Sequence, residues 1–145
     1  MIIRRVKEND FEECMILIAD FAEESLHEYG AYLDLKKLQE SFDKMWPTSF
    51  VAEVDGKIVG VLAGFINTDL MNYEPVYEEI LWYMDKKYRK YGIKLFKYVQ
   101  QECLVKGIKR ITMCAMHNSK TEKLFQLYKK LGFQEMETRF VKQLD

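Results

Sequence analysis

The sequence predicts an α/β chain of the α+β kind, a mixed and mostly antiparallel central sheet of six or seven strands with helices on both faces, in one domain over residues 1–145. Three observations predict it. Two β-branched and aromatic runs, "SFVAEV" and "KIVGVLAGFI", flank Asp55-Gly56, a pair that suits a type I′ hairpin turn. Apolar residues recur at helical spacing in segments before and after that hairpin. The segments follow the order β-α-α-β-β-β-α-β-α-β, closing on one or two strands. A meander followed by β-α-β-α-β makes a mixed sheet with helices on both faces.

"MIIRRV" reads as the first strand. "NDFEEC" opens a helix, with Asn9 as its cap, Glu12 at the third helical position, and Phe11, Cys14, Met15, Ile18 and Ala22 along one face. "HEYGAYLD" (27–34) breaks that pattern, and a shorter helix runs over Asp34–Met45, ending before Pro47. After the hairpin, "VYEEILWYMD" supplies a further strand. Gly92, Leu95, Phe96, Val99 and Cys103 form the apolar stripe of a helix over Gly92–Lys106 that Gly107 ends. "KRITMCAM" (109–116) is the next strand. Ser119-x-x-Glu122 is a capping box for a helix carrying Leu124, Leu127, Tyr128 and Leu131, stopped by Gly132 at the C′ position. "FQEMETRFVKQL" closes the chain as one or two strands, and an exposed terminal strand can pair with another copy to give a homodimer.

The 145 residues suffice for a substantial core. With 48% hydrophobic and 31% charged residues and a net charge of −1, the chain is neither disordered nor a globally basic nucleic-acid binder. Its three cysteines lack CxxC spacing and read as small buried hydrophobes in a reducing cytoplasm. Its two histidines are too isolated for a metal cluster, so no metal is expected. No signal-peptide core appears at the N-terminus, and no apolar run approaches the roughly 18 residues of a membrane span. A soluble, cytoplasmic protein is the expectation.

The strand "EEILWYMD" leads into "KKYRKYGIKLF", where Lys86, Lys87, Arg89, Lys90, Lys94 and Lys97 crowd the start of a helix with no acid between Asp85 and Glu102. A helix N-terminus already carries a partial positive charge and unpaired N–H groups. Cations stacked there repel one another unless a multiply charged anion joins them, so the junction reads as a phosphate or pyrophosphate site. Gly92 leaves the backbone open to close approach. Neither GxxxxGK[ST] nor GxGxxG occurs, which disfavours a nucleotide P-loop or a Rossmann site.

"MDKKYRKYGIKL" resembles the acetyl-coenzyme A pyrophosphate loop of the GNAT superfamily of N-acetyltransferases, Arg/Gln-x-x-Gly-x-Gly/Ala after a strand. Arg89 and Gly92 match, and Lys94 stands where the pattern ends in Gly or Ala. "HNSKTEKLFQLYKKLGF" is similar to a second family signature, Asn…Leu-Tyr-x-x-Leu-Gly-Phe, with Asn118 opening the helix and Tyr128 on it. The resemblance covers essentially the whole chain and implies an N-acetyltransferase that uses acetyl-coenzyme A as co-substrate without a metal. It implies that backbone near Tyr83 and Met84 pairs with the pantetheine amides, and that Arg89 and the N–H groups of Lys90, Tyr91, Gly92, Ile93 and Lys94 hold the pyrophosphate. It gives Tyr128 the role of general acid toward the coenzyme A sulfur, with Asn118 in the cofactor-binding set.

A base is needed to free the acceptor amine of its proton. Glu78 and Glu79 are adjacent on a strand and so point to opposite faces. Glu79 is preferred and Glu78 is the alternative, because two acids in an otherwise apolar strand suggest that one is buried for a purpose. The resemblance places the acceptor, a small-molecule or peptide amine, near "HEYGAYLD" and "NTDLMNYEP". Tyr29, Tyr32 and Tyr73 there can meet a cation through their rings. Two other readings stay open: a non-catalytic acyl-coenzyme A binding or sensing module, which Lys94 permits, and, less favoured, a domain contacting phosphates of a partner or nucleic acid.

Overall fold

In the computed structural model, which describes residues 1–26, 34–117 and 120–144, Asp55 and Gly56 adopt φ of +51° and +76°. A type I′ turn needs positive φ at both central positions, and these two residues tolerate it best. Strand β2 (Phe50–Val54) therefore folds directly back onto β3 (Lys57–Thr68). Strand β1 (Ile2–Arg5) pairs antiparallel with β2, and β4 (Pro75–Met84) pairs antiparallel with β3. The final strand, β5 (Arg110–Thr112), runs parallel to β4, so the sheet order follows the chain, β1-β2-β3-β4-β5.

The sheet thus has five strands among the described residues, against the six or seven expected. Residues 133–144 carry no strand there, and 134–144 are exposed. Their apolar positions, Met136, Phe140, Val141 and Leu144, do not alternate, so no single apolar face would be buried by a ladder. Strand β5 is also shorter than the 109–116 run predicts. Past Thr112 its partner on β4 offers a carboxylate to the backbone, not a ladder carbonyl.

The chain divides into two compact units, Met1–Cys114 and Ala115–Asp145. In the first, α1 (Phe11–Ser25) and α2 (Leu35–Met45) cover one face of the sheet. Their Cys14, Leu17 and Phe42 join Val51, Ile58, Val61, Ala63, Leu81 and Tyr83 in one apolar cluster. Helix α3 (Gly92–Val105) covers the other face, where Leu95 and Val99 are almost fully buried, Phe96 meets Trp82, and Tyr98 meets Phe50. Each such side chain contributes roughly 1.5–3 kcal/mol by leaving water. Among the described residues no helix is long and apolar enough to cross a membrane.

Asp34 caps α2 by accepting the Lys37 N–H at 3.1 Å. Asn9 does not cap α1. A 3₁₀ turn over Glu8–Asp10 precedes that helix, and Asp10 is the residue that is held. Its carboxylate accepts the Lys7 N–H at 2.7 Å and both nitrogens of the Arg4 fork at 2.7 and 3.0 Å. Burial opposes its ionisation, yet the Arg4 fork keeps the carboxyl below its usual range. Helix α3 ends in a Schellman turn: Gly107 has φ of +75°, its N–H reaches Leu104 O, and the Ile108 N–H reaches Cys103 O.

One irregularity sets the site. Ala63 pairs with Leu81 and Gly64 with Glu79, so Ile80 is an extra residue in β4, a β-bulge. The bulge reverses which face each later residue takes. Tyr77 and Glu79 share the α3 side, whereas Leu81 and Tyr83, also odd-numbered, join the cluster under α1. Gly64 permits this close approach, since a Cβ there would overlap the Glu78 carbonyl oxygen and lie 2.8 Å from the Tyr77 ring.

In the second unit α4 (Thr121–Lys130) ends in the same kind of turn as α3. Gly132, at φ +88°, donates to Lys129 O at 3.1 Å and Phe133 donates to Tyr128 O at 3.0 Å. The Tyr128 and Phe133 rings meet at 5.4 Å, the apolar contact that accompanies this motif. Leu-Gly-Phe is therefore a helix stop that also packs against Tyr128. Ser119 of the expected capping box lies outside the described residues.

Gly64→Ala is expected to destabilise the protein by about 1–3 kcal/mol, because the new methyl meets backbone, which yields less readily than a flexible side chain. Denaturant unfolding checks this; an unchanged midpoint would remove the glycine from its role in the bulge.

Candidate functional site

Beyond the Glu78–Thr112 pair, β4 and β5 no longer share a ladder. At the point where they part, Glu79 is buried, with 6% of its surface exposed, and its Oε2 accepts the Cys114 N–H at 2.8 Å. Burial pushes the Glu79 carboxyl up to about 7, and the bond from Cys114 pulls it only partly back. Glu78 takes the opposite side of the strand, half-buried, and accepts the Asn67 side-chain amide at 2.5 Å. Cys14 and Cys103 are buried as the sequence suggests, but Cys114 is exposed because β5 has already ended.

From Leu81 to Met84, β4 has no strand on its β5 side among the described residues. An unpaired strand edge offers N–H and C=O groups to an extended ligand carrying amides. The chain then tightens into a 3₁₀ turn over Lys86–Tyr91, started by Asp85, whose carboxylate accepts the Lys87 N–H at 2.8 Å. Gly92 begins α3 with its Cα side against Met84 and Trp82. An added Cβ would meet both at 3.4 Å, so packing alone does not demand glycine there. Met84 is itself buried, in room left by Gly60.

The cations of this junction are not left to one another. Glu24, near the end of α1, accepts Arg89 Nη2 at 2.7 Å on Oε2 and approaches Lys86 Nζ at 3.3 Å through Oε1. Oε1 also accepts the Tyr83 hydroxyl at 2.8 Å. Burial first, and then Glu24, push the Tyr83 hydroxyl up to about 12. The Arg89 guanidinium lies 5.9 Å from the Tyr83 ring. The Tyr91 ring draws both Lys90 Nζ, at 5.0 Å, and Lys94 Nζ, at 5.4 Å. Lys90, Ile93 and Lys94 are exposed, and Tyr91 is half-buried. Glu24 escapes a sequence reading, because its partner lies 65 positions away and its own segment is an ordinary helical one.

A family model for the acetyltransferase (GNAT) family matches residues 11–133. The chain belongs to the GNAT acetyltransferase family. Solved structures agree in fold. A ribosomal-protein-alanine N-acetyltransferase from Brucella melitensis biovar Abortus 2308 superposes with a TM-score of 0.80 at 16% identity, covering 99% of this chain and 98% of that one. An aminoglycoside acetyltransferase from an uncultured soil metagenomic sample, solved with sisomicin, gives 0.75 at 23%, covering 99% and 96%. An aminoglycoside N-acetyltransferase in complex with CoA gives 0.69 at 19%, with 99% of each chain covered. No curated protein sequence matches the chain.

In this GNAT chain the remaining expected site residues divide three ways. Tyr73 lies in the β3–β4 connection at φ +58°, its N–H bonded to Asp69 O at 2.7 Å and its side chain exposed. Nearby, Asp69 is paired with Arg110. Tyr128 stands in the second unit, in the capped α4 turn described above. Tyr29, Tyr32 and Asn118 lie outside the described residues.

The Glu79 carboxyl has an observable signature. Its folded value of about 7 lies above its ordinary 4.5, so the folded state loses stability as pH rises between those values, and the cost is absent below them. Relative to Glu79→Gln, wild-type stability is expected to fall by up to about 3 kcal/mol between about pH 4 and about pH 8, at 1.36 kcal/mol per unit. Chemical denaturation of both proteins across that range measures it, and a constant gap would refute the raised value.

Proposed function

We propose that this chain is an acetyl-coenzyme A-dependent N-acetyltransferase that moves an acetyl group to a primary amine by direct attack in a ternary complex. One observation carries the reading: among the described residues β4 presents an unpaired edge between a buried carboxylate at one end and a cation-rich helix start at the other. That arrangement suits a ligand with amides along its length and phosphates at its end. Backbone at Tyr83 and Met84 pairs with the pantetheine amides. Arg89 and the N–H groups of Lys90, Tyr91, Gly92, Ile93 and Lys94 hold the pyrophosphate.

Acetyl-coenzyme A supplies the acetyl thioester. Glu79, directly or through one water, takes a proton from the acceptor ammonium, leaving a neutral amine to attack the thioester carbonyl. The Glu79 value near 7 suits this at neutral pH, since the group is both available as a base and strong enough to act. As the carbon–sulfur bond breaks, the Tyr128 hydroxyl gives its proton to the departing sulfur, and the proton that the attacking nitrogen sheds on becoming an amide restores the tyrosine hydroxyl. The contact with Phe133 and the bonds of the helix stop fix the turn that bears it. The acceptor is a small-molecule or peptide amine, in keeping with solved relatives named for a ribosomal protein and for aminoglycosides. Its cationic form suits the Tyr73 side of the β3–β4 connection.

Calorimetric titration with acetyl-coenzyme A is expected to show one site per chain, and absence of binding at millimolar ligand would overturn the reading. With an amine that is turned over, kcat/KM should rise with pH through about 7 as Glu79 loses its proton. Glu79→Gln should lower kcat/KM roughly 10²- to 10⁴-fold and abolish that rise. Tyr128→Phe should lower kcat by roughly 10²-fold with little change in the affinity for acetyl-coenzyme A. Binding without turnover across an amine panel would instead identify a non-catalytic acyl-coenzyme A module.

A further inference from the structure

Helix α1 ends with Glu23 and Glu24 and no basic residue in its last turn, although a helix C-terminus carries partial negative charge and repels carboxylates. Helix α3 begins amid cations, where its own dipole is positive. Each helix has the wrong charge at its end, and Glu24 joins the two errors into one pairing. Its carboxylate is 17% exposed, with one oxygen on the Tyr83 hydroxyl and Lys86 and the other on Arg89. Tyr83 is buried on β4 and anchors the carboxylate to the sheet. Arg89 and Lys86 are the exposed partners, with side chains 42% and 72% exposed.

We propose that Glu24 is a resident counter-anion of the phosphate loop, from which an incoming polyanion takes over Lys86 and Arg89, so that the loop admits multiply charged phosphates and discriminates against singly charged anions. The proposal rests on the preceding function only for the identity of the polyanion as coenzyme A. Its physical basis is competition. A single-charge anion that binds Arg89 replaces one carboxylate contact with another and gains little, because Glu24 stays anchored by Tyr83. A pyrophosphate carries at least two charges, which can be shared among Arg89, Lys86, Lys90 and Lys94 and the N–H groups that open α3. Glu24 thus serves the unliganded state by relieving repulsion among the cations, and it sets the charge a ligand must bring. It is a specificity-determining residue that touches the loop, not the reacting atoms.

Glu24→Gln separates charge from shape, since the amide oxygen can still accept the Tyr83 hydroxyl. Titrating inorganic phosphate and inorganic pyrophosphate into both proteins at low salt, at a pH below the second ionisation of inorganic phosphate so that phosphate is singly charged, is expected to show tighter binding to the variant. The gain should be roughly threefold to tenfold, the scale of a partly exposed ion pair, and larger for phosphate than for pyrophosphate, so that discrimination narrows. Without ligand the variant should melt at a lower temperature than wild type, and saturating pyrophosphate should close the gap. In wild-type protein, pyrophosphate should shift the ¹³C resonance of the Glu24 carboxylate, a readout that needs no variant. Unchanged or weaker pyrophosphate binding by Glu24→Gln, a motionless Glu24 resonance, or no pyrophosphate binding by wild type would each overturn the proposal. Acetyl-coenzyme A titrated in parallel tells the two readings apart. If it fails to bind while the pyrophosphate pattern holds, the acetyltransferase reading falls and the anion exchange stands.

Discussion

The parallel ladder between β4 and β5 stops after three residue pairs, and the candidate site depends on that stop. A continued ladder would satisfy the backbone of Leu81–Met84 and leave no edge for a ligand. The bulge at Ile80 makes the stop stable. It lies directly after Glu79, where Cys114 arrives without a ladder carbonyl, and the Glu79 carboxylate takes the N–H that β4 backbone would otherwise have taken. Gly64 enables the bulge by having no side chain to collide with the Glu78 carbonyl. A glycine on one strand, an extra residue on the next and an acid beside it form a single device. The acid is raised in pKa because the device buries it, and the Cys114 N–H compensates only in part.

The opposite end of the β4 edge follows a different logic, that of charge placed against helix dipoles. Neither the carboxylates that end α1 nor the cations that open α3 would be stable alone in those positions. Together they link the helix on one face of the sheet to the helix start on the other, through Tyr83 in the sheet between them. The edge that offers amide partners is therefore bounded by a buried acid below and a partly neutralised basic loop above.

Much of the fold was legible because its signals are local. Asp55-Gly56, the short helix before Pro47, the apolar stripe of α3 and the glycine stops after α3 and α4 each act within a few residues, and each is realised. The misreadings share the opposite property. Asn9 looked like a cap, but Arg4 and the Lys7 amide compete for Asp10 and move the helix start. Cys114 looked like a strand residue, and its exposure follows from where β5 ends, which depends on β4. Nothing near Glu24 announces a partner 65 positions on. Strands beyond α4 were expected from composition alone, without the alternation that gives a strand a buried face.

Lys94 is where local pattern and geometry bear on each other most directly. In the family's loop pattern that position is Gly or Ala, so a lysine there raises the prospect of a blocked cradle. Its ammonium lies over the face of Tyr91, and so does that of Lys90, two residues before Gly92. A cation over a half-buried ring gains roughly 0.5–2 kcal/mol, and two cations on one ring repel each other. Tyr91 therefore holds both side chains weakly, along the helix start and not across it. A charged phosphate offers each of them a stronger partner than a shared ring. If the loop holds a pyrophosphate as proposed, the extra side chain adds a donor to it, and the departure from pattern favours that reading.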